Sequence, residues 1–156
     1  VDHASGIHAY RNVAYNNAYT GYMFSGMWRD GRMVYVNNVA ANSLYGFSLG
    51  GPSYDTHGSV DTRVLNNIAV NNEAFGMSVS YATGRTQNMD IDYNLYHANG
   101  WGSMWHAGPM VDREGGTWNP LQTLTEVRSS TPWEDHGVDA DPVVNAALCP
   151  KRCRTQ

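Results

Sequence analysis

Residues 66–80 read NNIAVNNEAFGMSVS, and the register of this stretch decides the fold. An asparagine pair precedes a short apolar strand; a second pair, a glycine and another alternating strand follow. Residues 11–25 (RNVAYNNAYTGYMFS), 37–50 (NNVAANSLYGFSLG) and, more loosely, 93–105 (YNLYHANGWGSMW) lie over the same unit. Aligned on the second residue of the first pair, the units fall at Asn12, Asn38, Asn67 and Asn94, spaced 26, 29 and 27 residues apart. A period of this size, built of short strands with no helical pattern between them, belongs to a solenoid.

The columns sharpen that reading. An aliphatic residue follows each aligned asparagine (Val13, Val39, Ile68, Leu95), and three positions further on come Asn16, Asn42 and Asn71, with Ala98 breaking the row. Gly21, Gly46, Gly76 and Gly102 form a third column. When strands stack about 4.8 Å apart, equivalent residues of successive coils lie in register. Asparagine tolerates left-handed backbone angles and its amide can bond along a stack, which suits a ladder at a tight turn. Glycine is expected to permit the sharp corner before the next strand. An antiparallel sandwich shares the short strands and Asn/Gly turns but predicts no columns. The expected fold is therefore all-β: a parallel β-helix of about four to five coils with an irregular C-terminal cap.

Composition agrees. The chain of 156 residues carries 15 asparagines, 16 glycines and 10 tyrosines, a mixture that disfavours helices. Its net charge of −4 argues against a broad nucleic-acid surface. No apolar run is long enough to span a membrane, and no signal peptide is legible. The chain opens at Val1 inside a repeat, so a mature form or a piece of something longer is expected. An open first coil would expose strand edges, to be covered by upstream sequence or a partner chain. Cys149 and Cys153, in CPKRC, would close a small loop and point to an oxidising, extracellular setting. Two cysteines without neighbouring ligands make a poor zinc site.

The repeats and the GFSLGG stretch (residues 46–51) resemble right-handed parallel β-helix proteins, specifically the superfamily of pectate lyases, alginate lyases and related epimerases, which implies a right-handed parallel β-helix here. The resemblance covers about residues 6–107. It implies secretion and an acidic, uronate-containing polysaccharide as partner, with calcium as a possible cofactor. In that family the strands after the glycines floor a substrate groove. Alternation places Tyr22/Phe24, Phe47/Leu49 and Met77/Val79 inward, and Met23, Ser48 and Ser78 outward. Ser48 stands where a family lysine serves as base, and a serine cannot remove the proton beside a uronate carboxylate unaided. The family's calcium-binding aspartates have no clear counterpart. Asp90 and Asp92 could share a calcium, but Arg63 and Asp90, at equivalent places in adjacent coils, are also placed to pair.

Polar chemistry is concentrated in the loops, which are expected to leave one edge a coil apart. Trp28, Arg29, Asp30 and Arg32 come from the first; Tyr54, Asp55, His57, Asp61 and Arg63 from the second; Tyr81 and Arg85 from the third; Trp105, His106, Asp112 and Arg113 from the fourth. Arginine pairs bidentately with carboxylates and aromatic rings cover sugar faces. Trp28, Arg29, Arg32, Tyr81, Arg85, Trp105 and His106 are thus the candidate substrate-binding residues. The segment Tyr54-Asp55-Thr56-His57 faintly resembles the Tyr-Gly-x-Asp-Pro-His element of alginate epimerases, without its Gly, Pro and spacing. His57 and Tyr54, with Asp55, are the candidate catalytic group for β-elimination or epimerisation. The bland reading is that exposed loops simply contain Arg and Trp.

Beyond about residue 118 the period disappears. Leu121, Leu124 and Val127 have helical spacing, and TPWEDHGVDADPVVN reads as a closing segment. Residues 1–118 are expected to be coils and 119–156 a cap within the same domain. Polysaccharide lyase is the favoured function. The alternatives are a non-catalytic glycan-binding or structural β-helix, an epimerase, or a glycoside hydrolase using carboxylates such as Asp30 and Asp55.

Overall fold

The computed structural model describes residues 6–24, 32–49, 61–80, 88–100, 110–114 and 117–142. Three short strands open the chain: β1 (His8–Tyr10), β2 (Val13–Tyr15) and β3 (Thr20–Phe24). The same triplet returns as β4 (Val34–Val36), β5 (Val39–Ala41) and β6 (Tyr45–Leu49), and again as β7 (Arg63–Leu65), β8 (Ile68–Val70) and β9 (Phe75–Ser80). A fourth circuit contributes β10 (Asp90–Asp92), β11 (Leu95–His97) and β12 (Met110–Glu114). Each sheet collects every third strand, in the orders β1-β4-β7-β10, β2-β5-β8-β11 and β3-β6-β9-β12. All these pairings are parallel. The molecule is mostly β, with parallel strands in three sheets, and the columns fall as the spacing predicts: Val13 pairs with Val39, Val39 with Ile68, and Ile68 with Leu95.

That aliphatic column lies on the outer face, with Val13 57% exposed. The core takes the central residue of the short strands, including Tyr35, Val64 and Ile91 from the first sheet and Ala40, Ala69 and Tyr96 from the second. The third sheet adds Phe47, Leu49, Met77 and Val79. Tyr22 stacks on Phe47 at 5.0 Å and 7° inside, and Tyr45 on Phe75 at 4.5 Å and 8°, geometries that in-register parallel strands impose on equivalent rings. The inward positions expected for Phe47, Leu49, Met77 and Val79 therefore hold. The side chains of Phe24 and Ser80 lie outside the described residues.

Within each asparagine pair the two residues do different work. The first adopts left-handed angles at the bend between first- and second-sheet strands: Arg11, Asn37, Asn66 and Tyr93 have φ of 54, 59, 54 and 59°. Asn16, Asn42, Asn71 and Ala98 do the same at the next bend, with φ of 57, 51, 54 and 48°. The second residue of each pair turns inward. Asn38 donates its main-chain N–H (2.9 Å) and Nδ2 (3.1 Å) to Asn67 Oδ1. Asn67 does the same to Asn94 at 2.9 and 3.0 Å, and Asn67 Nδ2 also donates to Tyr35 O at 2.9 Å. Asn67 is 1% exposed and fills its four hydrogen-bonding positions. A second ladder runs through Asn17, Ser43, Asn72 and Asn99. This corrects the sequence reading, which set the second row one residue early. Ala98 interrupts the left-handed row, while the ladder beside it continues at Asn99.

The glycine column is corrected too. Gly21, Gly46 and Gly76 stack as expected, but none has a positive φ. A Cβ on Gly46 would strike the Gly76 carbonyl oxygen and approach Asn72 Nδ2 at 2.9 Å. Close approach of neighbouring circuits, not backbone curvature, requires the missing side chain. Gly102 lies outside the described residues.

The fourth circuit departs from the repeat. Its third-sheet strand is β12, which pairs Met110 with Met77, whereas the overlay expects the strand to follow Gly102 directly. β12 then turns back antiparallel to β13 (Thr117–Leu121). Helix α1 (Leu124–Ser130) follows, opened by a capping box between Thr123 and Glu126. It buries Leu124 and Val127, as their spacing predicts, while Leu121 belongs to β13. Trp133 joins them in the same core cluster as the coil residues. A last strand, β14 (Val138–Asp139), adds to the second sheet beside β11.

Candidate functional site

The outer face of the third sheet is the expected groove floor. Met23, Ser48 and Ser78 are register partners along it. Met23 is 40% exposed, but Ser78 is only 1% exposed and donates its hydroxyl to Ser48 Oγ at 3.1 Å. Of the outward row, only Met23 and the half-buried Ser48 are open to solvent. No ionisable group stands in this column of Met23, Ser48 and Ser78.

Tyr54, Asp55 and His57 lie outside the described residues, as do Trp28, Arg29, Asp30, Tyr81, Arg85, Trp105 and His106. Arg32 is described, and it is exposed just before β4. The described strands fix where the loop segments attach. Residues 25–31, 50–60 and 81–87 each follow a third-sheet strand and precede the first-sheet strand of the next circuit. Their starting strands are adjacent and in register, Phe24 pairing with Leu49 and Leu49 with Val79. Residues 101–109 differ: they join β11 to the start of β12, so Trp105 and His106 precede their third-sheet strand instead of following it. The expectation of four loops leaving one edge is thereby reduced to three.

Arg63 and Asp90 do pair across circuits, at 3.7 Å. With side chains 65% and 53% exposed, the pair contributes little to stability. Asp92 is committed differently. Its Oδ1 accepts the main-chain N–H groups of Tyr93 and His136, both at 2.8 Å, and its Oδ2 lies 2.7 Å from His136 Nδ1. Burial pushes the Asp92 carboxyl up, but the bonds from His136 and Tyr93 outweigh it and hold the pKa below its usual value. The His136 ring stacks on Tyr93 at 4.5 Å and 5°. The two aspartates thus engage separate partners, and among the described residues no group of three or more His, Cys, Asp or Glu converges.

The residue that sequence reasoning missed is Glu134. It is fully buried, with φ of 61°. Its Oε1 accepts Asn94 Nδ2 at 2.7 Å and the Tyr96 hydroxyl at 2.6 Å, and its Oε2 accepts the Asn94 main-chain N–H at 3.2 Å. The carboxylate therefore takes the place that the next asparagine amide would fill and ends the first ladder. Burial pushes its pKa up to about 7, against the opposing pull of Tyr96 and Asn94. Burial and the facing carboxylate raise the Tyr96 hydroxyl well above its ordinary value. Gly137 follows for steric reasons, since a Cβ there would meet Glu134 Oε2 and Cβ. Arg128 fixes this bend through Nε to Glu134 O and Nη2 to Gly137 O, both 2.7 Å. The available signal was simple: a ladder of buried amides must end on an acceptor, and Glu134 stands in the closing segment.

No protein-family model matches the chain, and neither curated proteins nor solved structures yield a match. No helix among the described residues is long and apolar enough to cross a membrane.

Proposed function

We propose that the chain is a right-handed parallel β-helix of the pectate lyase, alginate lyase and epimerase type, secreted, and acting on an acidic uronate polymer by β-elimination. The observation that carries the reading is the attachment of three loop segments at adjacent, in-register strands of one sheet. Successive attachment points stand one strand spacing apart, about 4.8 Å. Such a row matches an extended chain better than a small molecule. Its segments hold Trp28 and Arg29, with Arg32 just beyond them, then Tyr54, Asp55 and His57, then Tyr81 and Arg85.

In this mechanism an arginine among Arg29, Arg32 and Arg85 neutralises the uronate carboxylate and so acidifies the C5 proton. One of His57 and Tyr54 removes that proton. The released electron pair forms the C4–C5 double bond as the C4–O4 bond breaks, and the other group protonates the departing oxygen. Asp55 would orient His57, two residues on in the sequence. Calcium, where used, would add charge at the carboxylate; the described residues supply no cluster for it.

A second reading, non-catalytic glycan binding on the same scaffold, draws support from Ser48 and Ser78, which leave their column of the sheet without an ionisable group and bond to each other. Mass analysis of the products separates the readings. The lyase reading expects oligosaccharides with an unsaturated non-reducing end, lost in His57→Ala and Tyr54→Phe. Retained polymer with measurable binding supports the second reading, and hydrated ends or altered C5 configuration would point to a hydrolase or an epimerase.

A further inference from the structure

At the first bend Tyr93 holds the place that Asn37 and Asn66 hold in the two circuits before it, with the same left-handed backbone (φ 59° against 59 and 54°). Asparagine is at ease with those angles and a bulky ring is not. Burial does not offset the strain, because Tyr93 stays 51% exposed. Nor does closure of the fourth circuit depend on the ring. Asp92 binds the closing segment through the His136 main-chain N–H and Nδ1, Glu134 through Asn94, and Arg128 through the carbonyls of Glu134 and Gly137. Tyr93 gives Asp92 only a main-chain N–H, which an asparagine there would give equally. Backbone strain kept where the fold has an easier residue to hand points to a functional position.

The ring is also held in place. His136 stacks on it at 4.5 Å and 5°, and Asp92 grips both the main chain and Nδ1 of His136, so the imidazole cannot turn without breaking a bond. After these contacts the His136 side chain is still 59% exposed. Its Nδ1 is committed to Asp92, which leaves Nε2 as the ring nitrogen to meet a ligand. Asn66 stands one circuit back in the same column, exposed, with its main-chain N–H on Asp92 O at 3.3 Å. Flat aromatic area is thus rigidly presented beside an imidazole nitrogen and a carboxamide. The surrounding charge opposes an anion: Asp90, Asp92 and Asp135 stand against Arg63, already paired with Asp90, and His136. A pyranose without charge matches this chemistry, with an apolar face for the ring and hydroxyls for the two polar groups.

We infer that Tyr93 and His136, with Asn66 beside them, form a binding platform for a neutral glycan. It lies at the bend between the first and second sheets, whereas the loop segments begin at the third.

The test titrates the full chain with cellohexaose, mannohexaose, xylohexaose and maltohexaose, with hexagalacturonate and spermine as charged controls. Aromatic carbon–proton NMR spectra read the Tyr93 and His136 rings. At least one neutral hexasaccharide should shift both rings and saturate at or below about 1 mM. Tyr93→Phe should keep that affinity within about threefold, and Tyr93→Asn should weaken it at least tenfold. Because Tyr93→Asn restores the residue of the two preceding circuits, its melting temperature should be unchanged or higher. Four results overturn the inference: no neutral saccharide shifting the two rings, shifts with hexagalacturonate or spermine alone, binding that survives Tyr93→Asn, or a Tyr93→Asn chain that melts lower or fails to fold. The last would make the tyrosine a structural clamp.

Discussion

Replacing Glu134 with glutamine probes the plug at the end of the ladder. The carboxyl has an ordinary pKa of 4.5 and is raised to about 7, chiefly by burial. The folded state therefore holds a proton between these values that the unfolded state has released. Its contribution to stability is complete below about pH 4.5, declines as the pH rises towards 7, and does not fall further above that. The interval corresponds to roughly 3 kcal/mol. Glu134→Gln abolishes this titration. Its Oε1 can keep Asn94 Nδ2 and the Tyr96 hydroxyl, but its amide opposes the Asn94 N–H now bonded at 3.2 Å, a pH-independent loss of about 1–3 kcal/mol. Urea unfolding followed by the fluorescence of Trp133, which is buried in the adjoining core, measures both proteins from pH 4 to pH 8. The stability advantage of the native protein should shrink by roughly 3 kcal/mol across that range. A difference that stays constant with pH would refute the assignment of Glu134 as a buried carboxylate at the ladder's end.

Three further substitutions test the coil geometry. Asn67→Ala strands the buried Asn38 N–H and amide and the Tyr35 carbonyl, and should cost about 3–5 kcal/mol. Asn66→Ala next to it affects only an exposed left-handed residue and should cost about 1 kcal/mol; equal losses in denaturant melts would contradict the division of labour. Gly46→Ala should lower stability by about 2 kcal/mol or more because its Cβ meets the Gly76 carbonyl, readable as a drop in Tm. Ala98→Asn places a residue tolerant of left-handed angles at φ 48° and should raise stability by about 0.5–1 kcal/mol in the same assay.

Much of this architecture was legible because a stacked coil repeats its demands. The spacing of Asn12, Asn38, Asn67 and Asn94 set the register, and with it the inward places of Phe47 and Met77 and the Arg63–Asp90 pair. The asparagine row at the second bend was harder to read, because asparagine suits both the left-handed bend and the ladder beside it. Composition cannot tell Asn71 from Asn72; only the side-chain direction does. The glycine column was found with the wrong cause, since a stretch of sequence does not show how closely Gly46 approaches Gly76. Ser78 was read as open by alternation, yet facing away from the core does not ensure exposure. Glu134 escaped because it occurs once, and a repeat pattern has nothing to say about the residue that ends it. The candidate site was legible only as residue types on segments attached to one sheet edge, and the fourth segment was misassigned once β12 took the place expected after Gly102.

The most direct test of the functional account is the absorbance of unsaturated uronate when the protein is incubated with pectate, alginate and chondroitin, with calcium supplied. A steady rise on one of these polymers is predicted. A flat trace on all three, from protein shown to be folded, would contradict the lyase reading.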